Sequence, residues 1–533
     1  MLIRITNFKV SPDETEEGST ARLCAHLHIQ KSSLITWKVV RRAIDARKRN
    51  SLSFVCSIEC ELIDNTSFEG GELSTRSACY VPRPESLPLS TAQHEHTIVI
   101  GAGPAGLFAA LALAEGDQKV TLLERGKPVE TRMRDIGRLR SRGELNTESN
   151  ICFGEGGAGT YTDGKLYTRI KHPFVRWVLA RFIDFGARDD ILIDAHPHLG
   201  TDRLIRIVRN MRLHLLQLGV DYHFETKVTR ILQKNGTATG VQLANGEEIQ
   251  ADHIILATGH SARDTFEQLH QQGIAMEAKD FAVGMRAEHA QAWVDQNQYG
   301  SYAGHAKLGA AEYKLTHQVA DPYIQKRGIY SFCMCPGGLI LPSPTEEGHM
   351  AVNGMSNAKR SSPLANSGIV AQVTVEDIRR HGLGDDPLCG IHLQRELEKA
   401  CFAMTQNPYA APTMRVSDYV NKKATGKVAF SRYKPNVEAA DLHALFPKWL
   451  AEPLRQGLMQ FDRKMKGYVS DEANLLAVES RTSSPIRLPR GQHMQSINLQ
   501  RFYPVGEGAG YAGGIVSAAV DGLKAAQQIL MND

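Results

Sequence analysis

The sequence predicts an α/β fold: a Rossmann-like dinucleotide-binding domain with an inserted α+β domain and a small N-terminal α+β module. Three observations carry this. An apolar run, Ile98–Ile100, breaks into Gly101-x-Gly103-x-x-Gly106 and continues as a helix of small and apolar residues. A second glycine-rich strand-to-helix junction, Phe502–Gly522, stands near the C-terminus, with a long mixed stretch between the two. Proline-rich Val81–Thr91 reads as a linker. The predicted boundaries are 1–92 for the module and linker, 93–280 and 471–533 for the dinucleotide-binding domain, and 281–470 for the insertion.

The module reads as a strand at Ile3–Val10, a helix near Leu34–Arg47 and a strand at Leu52–Leu62. Arg41-Arg42 and Arg47-Lys48-Arg49 cluster there, but the module is neutral overall, so the cluster reads as a solvated face rather than a nucleic-acid patch.

In the fingerprint, Gly101 allows the tight turn. Gly103, followed by Pro104 and Ala105, lets backbone approach a pyrophosphate, and Gly106 lets helix and strand pack closely. Free N–H groups and the positive dipole end at the helix start hold phosphates. Lys119–Glu124 is the next strand, with Arg125 after it. Glu124 falls where an acid accepts hydrogen bonds from a ribose and repels a 2′-phosphate, which points to FAD or NAD rather than NADP. Ile98–Ala114 is almost uncharged but short of the ~20 residues a membrane span needs.

Further on, Leu204, Ile207, Val208, Met211, Leu215 and Leu218 share one face of a helix at Asp202–Leu218, with Thr201 as cap and Gly219 as stop. A strand is expected at Asp221–Leu232 and another at Ala251–Gly259, which ends in Ala-Thr258-Gly259. The insertion opens on the strand-like Phe281–His289 and mixes strands with helices. The chain is expected to return to the dinucleotide-binding domain through Asn474–Ile486.

Together, Gly101–Glu124, Thr258–Gly259 and the Gly506-Glu507…Gly513-Gly514-Ile515 segment resemble the three cofactor segments of the glutathione-reductase-like flavoproteins with two dinucleotide-binding domains. The runs Phe153–Thr160, Ser331–Gly338, Val352–Ser356 and Glu479–Ile486 resemble, over nearly the whole chain, a bacterial family known only as FAD-dependent dehydrogenases. The resemblance implies non-covalent FAD. It places Glu507, where the superfamily usually has aspartate, on the ribityl chain, and Gly513–Ile515 at the flavin's pyrimidine edge. It places Gly157, Ala158, Gly159 and Thr160, followed by Lys165 and Leu166, near the flavin N5, and the backbone at Val228 beside the adenine. It implies no substrate.

For the chemistry, the flavin carries hydride and the protein supplies binding and electrostatics. Cys333 and Cys335, two apart on a strand, share one face and precede Pro336-Gly337-Gly338. They read either as substrate-side thiols or as two small buried residues. Arg481-Thr-Ser-Ser484 reads as a site for an anionic group or the flavin edge, or as a loop with internal hydrogen bonds. His196 and His198 share a strand face without a third ligand, so no metal is expected.

No separate Rossmann unit for NAD(P)H is expected. NAD(P)H is therefore expected only as a transient reductant at the same flavin face. Apolar content of 42%, charge of 23% and a net charge of +4 fit a soluble globular enzyme with no large polyanion partner. Nine scattered cysteines and the lack of an apolar signal core fit a cytoplasmic protein. The expected function is an FAD-dependent dehydrogenase or reductase acting on a small molecule. The alternatives are a flavin monooxygenase and, in another class, a flavin-bearing RNA-binding or RNA-modifying protein.

Overall fold

A computed structural model describes residues 1–47, 51–74 and 95–531. The linker Val81–Thr91, with Lys48 and Arg49, lies outside these residues.

The module is a four-stranded antiparallel sheet, in the order Leu34–Asp45, Ser53–Leu62, Leu2–Val10, Glu72–Leu73. One helix, Glu16–Leu27, covers it. Thr15 caps that helix by accepting from the Gly18 N–H at 3.1 Å, and Glu16 and Glu17 favour the positive end of its dipole. The helix expected at Leu34–Arg47 is instead a strand, Leu34–Asp45. Its Ile35, Thr36, Val39, Val40 and Ile44 are β-branched and suit a pleated surface. Two of the basic side chains there are paired: Arg42 with Asp194 at 2.8 Å and Arg47 with Asp45 at 2.6 Å.

A five-stranded parallel sheet forms the dinucleotide-binding domain. Its order is Phe502–Pro504, His253–Leu256, His96–Ile100, Lys119–Leu123, Asp221–His223. The central strand is buried on both faces, as a parallel sheet requires. Helices Pro104–Glu115 and Ile515–Met531 pack against each other beside it. Gly522 makes their close approach possible, because a Cβ there would stand 2.0 Å from the Ala105 carbonyl oxygen. The helix expected at Asp202–Leu218 is present as Thr201–Gln217. Thr201 is its first residue rather than its cap, and its hydroxyl donates to the Thr162 carbonyl at 2.9 Å. The strand expected at Asp221–Leu232 divides in two. Asp221–His223 joins the parallel sheet, and Val228–Lys234 joins a separate three-stranded sheet.

The insertion is built on a seven-stranded sheet, with Phe281–Ala290 at its centre between Leu364–Val373 and Asn474–Glu479. Asn474–Glu479 therefore belongs to this sheet and not to the dinucleotide-binding sheet that its sequence suggested it would rejoin. Strand Gln325–Cys335 pairs with Leu364–Val373 and carries a bulge between Phe332 and Cys335. A hairpin, Gly338–Pro342 and Val352–Ser356, packs over the sheet. No helix among the described residues is long and apolar enough to cross a membrane.

Candidate functional site

A cavity of about 360 Å³ opens at the carboxyl ends of the parallel strands and runs to the edge of the inserted sheet. That is the crevice where open α/β sheets bind ligands. Gly101, Gly103, Pro104 and Ala105 form its floor. Gly101 has φ +99°, and a Cβ there would stand 2.6 Å from the Ala257 carbonyl oxygen. Gly103 differs. Its backbone is extended, and a Cβ there would meet nothing nearer than the Gly157 Cα at 3.9 Å. Helix Pro104–Glu115 starts there with no side-chain cap, so its first N–H groups are free for an anion.

Glu124 braces this floor. It is buried, and its two oxygens accept N–H groups from Ala102 at 2.8 Å, Gly126 at 2.8 Å and Gly154 at 3.0 Å. A carboxylate has about four lone-pair sites, so room remains for about one ribose hydroxyl. The neighbouring glycine loop is threaded by the fully buried Arg132. Its guanidinium donates to the carbonyls of Asn150, Ile151, Gly154, Glu155 and Gly157 at 2.7–3.2 Å. Arg132 from inside and Glu124 through the Gly154 N–H thus fix the loop, and Gly157, Ala158 and Gly159 line the cavity.

At one end stand Val228 and Lys227, with Arg125 held by Glu148 at 2.6 Å and Asp264 at 2.9 Å. Along the middle, Thr258 carries a buried hydroxyl with no hydrogen-bond partner, and Gly259 follows it. Glu507 faces the cavity with no side-chain hydrogen bond among the described residues. Burial raises its pKa from 4.5 to about 8. Gly513, Gly514 and Ile515 complete this wall at the start of the last helix. An anion cradle, an orphaned hydroxyl and an unpaired acid along one groove fit a phosphate–ribose–polyol chain such as that of FAD.

Residues 95–267 match the family model described as HI0933-like protein Rossmann domain, and residues 280–482 match that of FAD-dependent protein, C-terminal domain-like. Residues 2–61 match a domain of unknown function. A Clostridium beijerinckii protein described as uncharacterized is 39% identical over 537 residues, covering 99% of each chain. The chain belongs to this family of FAD-dependent flavoproteins. Solved structures similar to it include 2,6-dihydroxypyridine-3-hydroxylase from Arthrobacter nicotinovorans. That match has a TM-score of 0.37 at 12% identity and covers 83% of this chain and 86% of that one. A quinol fumarate reductase from E. coli matches with a TM-score of 0.35 at 12% identity, covering 82% of this chain and 70% of that one. Likenesses at this level carry no inference about the reaction.

The inserted sheet closes the other side of the flavoprotein's cavity with Phe332, Cys333, Asn353, Glu479 and Arg481. Cys333 sits in the bulge with φ +42°. The neighbouring Cys335 thiol, then the cations of Arg286 and Lys165, bring the Cys333 thiol down to about 6 in spite of its burial. Arg286 is fully buried, with its Nε 2.6 Å from Glu479 and an Nη donating to Asn366 at 2.5 Å. Gly354 packs on it so closely that a Cβ would stand 1.8 Å from the guanidinium. Lys165 Nζ donates to Glu312 at 3.1 Å. His260 also lines the cavity. Burial and the nearby Arg481 and Arg263 lower it to about 4, which keeps its imidazole neutral at neutral pH.

Several expected site residues lie elsewhere. Cys335 is fully buried behind Cys333, donating its thiol to the Cys333 carbonyl at 3.3 Å, because the bulge breaks the alternation that two-residue spacing assumes. Ser484 donates to the Gly508 carbonyl at 3.2 Å inside its loop. Arg481 does reach the cavity, yet its guanidinium is engaged by Glu398 at 2.7 Å and Thr345 at 2.7 Å. Gly106 packs helix on turn, where a Cβ would stand 1.9 Å from the Gly101 oxygen. Thr160 faces a small apolar cavity of about 20 Å³ on the other side of the loop, and Leu166 is in the core. His196 and His198 are not on a strand. They contact Glu312 and the Ala358 carbonyl, and no metal-type cluster occurs among the described residues. Asn353 and Glu479 stand in segments the sequence singled out, Val352–Ser356 and Glu479–Ile486, but no spacing rule marked them. Arg132 left no signal at all.

Proposed function

We propose that this FAD-dependent oxidoreductase moves a hydride between the flavin and a small molecule held against the edge of the inserted sheet. One observation carries the reading: a single cavity is lined at one end by the fingerprint and at the other by Cys333, Asn353 and Glu479. FAD, when bound, supplies two-electron hydride chemistry. The protein's part is to place it and to manage the proton. The fingerprint N–H groups hold the diphosphate, and Glu507 and Thr258 take hydroxyls. Held below the usual thiol range by Cys335, Arg286 and Lys165, the Cys333 thiol is the group placed to accept the proton that leaves the substrate as hydride departs. In the reverse direction it returns that proton. Neutral His260 and the Asn353 amide orient polar groups of the substrate, and Phe332 and Phe153 shield the cavity from water.

NAD(P)H is proposed only as a visiting reductant, since the second Gly-x-Gly-x-x-Gly run, Gly508–Gly513, belongs to the last strand-to-helix junction of the same five-stranded parallel sheet and does not open a second one among the described residues. The ion pairing of Arg42 and Arg47 in the module favours a protein that works on small molecules rather than RNA. The test is anaerobic mixing of the FAD-loaded protein with candidate reductants and a metabolite extract, followed by flavin absorbance and mass spectrometry. The reading predicts bleaching by a small molecule recovered two hydrogens lighter. Bleaching by NAD(P)H alone, with a product that gains an oxygen atom in air, overturns it in favour of a monooxygenase.

A further inference from the structure

The N-terminal module touches the remainder of the chain on two sides, and both contacts lead to the same spot on the cavity wall. On one side, its edge strand bridges to residues 193–195. The Arg42 N–H donates to the Ile193 carbonyl and the Ala195 N–H to the Arg42 carbonyl, both at 2.8 Å. The Arg42 guanidinium pairs with Asp194 at 2.8 Å. The chain then runs antiparallel along 163–166: the Leu166 N–H donates to the Pro197 carbonyl at 2.9 Å, Leu199 to Gly164 at 3.0 Å and Gly200 to Asp163 at 3.1 Å. Lys165 and His198 are partners in that bridge.

On the other side, Asp13 stands 3.2 Å from His305, and Lys307 Nζ donates to the Glu14 carbonyl at 3.2 Å. This segment continues to Glu312, which accepts from Lys165 at 3.1 Å and lies 2.8 Å from His196. The Lys165–Glu312–His196 cluster is thus assembled from three segments: those of His196 and Glu312 are pinned by the module a few residues upstream, and that of Lys165 is held by pairing with 197–200.

We propose that the module, residues 1–74, is an intramolecular clamp that positions Lys165 at the substrate side of the cavity. A lysine head on a flexible stem is placed only if its backbone and its acceptor are both fixed. Exposed ion pairs contribute little, so the two backbone hydrogen bonds at Arg42 carry most of the clamp on that side. That Lys165 faces the substrate rests on the proposed function; the backbone coupling does not.

The test uses the full-length, FAD-loaded protein carrying Ala195→Pro, which removes one bridging N–H outside the module. Hydrogen exchange and the pH dependence of Cys333 alkylation are read. Exchange at 163–168 is expected to rise severalfold together with 193–200, while 101–106 keeps the parent rate. The midpoint of Cys333 alkylation is expected to move up in pH, because a displaced Lys165 no longer favours the thiolate. Unchanged exchange at 163–168, or an unchanged midpoint, overturns the proposal. If Ala195→Pro does not fold, Arg42→Pro serves instead: it removes the other bridging N–H, which points outward from an edge strand where proline is tolerated, and the same two changes are expected, the absence of either overturning the clamp. Neither readout uses turnover, so a failure of the hydride-transfer reading leaves this test intact.

Discussion

Replacing Glu507 by glutamine removes the charge of a carboxyl but keeps its size and most of its hydrogen-bonding capacity. In the structure this carboxyl has no side-chain partner among the described residues. Burial, opposed by Lys279 and aided by Cys333, raises its pKa from 4.5 to about 8. At neutral pH it is therefore protonated in the ligand-free protein and meets a ribityl hydroxyl as a neutral group. A neutral hydrogen bond contributes about 0.5–1.5 kcal/mol, against about 1.5–3 kcal/mol for one to a charged group. Glu507→Ala should accordingly weaken FAD binding by roughly two- to tenfold, and Glu507→Gln should stay close to the parent. The sign with pH follows from linkage. Above pH 4.5 the unfolded chain releases a proton that the folded chain keeps until about pH 8, so the parent loses stability as pH rises through that window. Glutamine has no proton to lose. In thermal unfolding of the ligand-free protein, Glu507→Gln should gain on the parent between these two pH values and hold its gain above them. Fluorimetric titration with FAD gives the affinities. A glutamine variant as impaired as the alanine one, or a Tm difference flat across the window, refutes the reasoning.

Two glycines of one turn should fail differently. Gly103→Val should fold with the parent's Tm yet take up no FAD, because its side chain points into the phosphate's place, whereas Gly101→Ala should lose stability outright at φ +99°. Cys333 should be alkylated with a midpoint below that of a free thiol in the ligand-free protein, while Cys335 stays unreactive; peptide mass spectrometry across pH reads both. Arg132→Met should melt the 150–157 loop, since each buried carbonyl left without a donor costs about 1–3 kcal/mol; loss of FAD together with a lower Tm is the expected result.

The parts of the fold written in local chemistry were legible in the sequence. Gly101, Gly103 and Gly106 announced a turn that few other residues can make, and the 3.6-residue spacing of Leu204, Ile207, Val208, Met211 and Leu215 announced its helix. What depends on distant partners was not. Leu34–Asp45 has both faces partly exposed, so it shows no clean alternation to set a strand apart from the expected helix. Asn474–Glu479 is buried throughout, and nothing local says which of two sheets receives it. The bulge that separates Cys333 from Cys335 is set by pairing with Leu364–Val373, on the other side of a hairpin. Glu124 was legible as a site acid, but its three backbone donors come partly from Gly154, far along the chain.

The account rests on FAD and Cys333 sharing one cavity, and a single titration tests this. Ligand-free protein is titrated with FAD while Cys333 alkylation is followed at fixed pH. The account predicts saturation at one FAD per chain, with alkylation slowing severalfold along the same binding curve. A protein that binds no FAD, or that saturates while Cys333 reacts at its original rate, contradicts it.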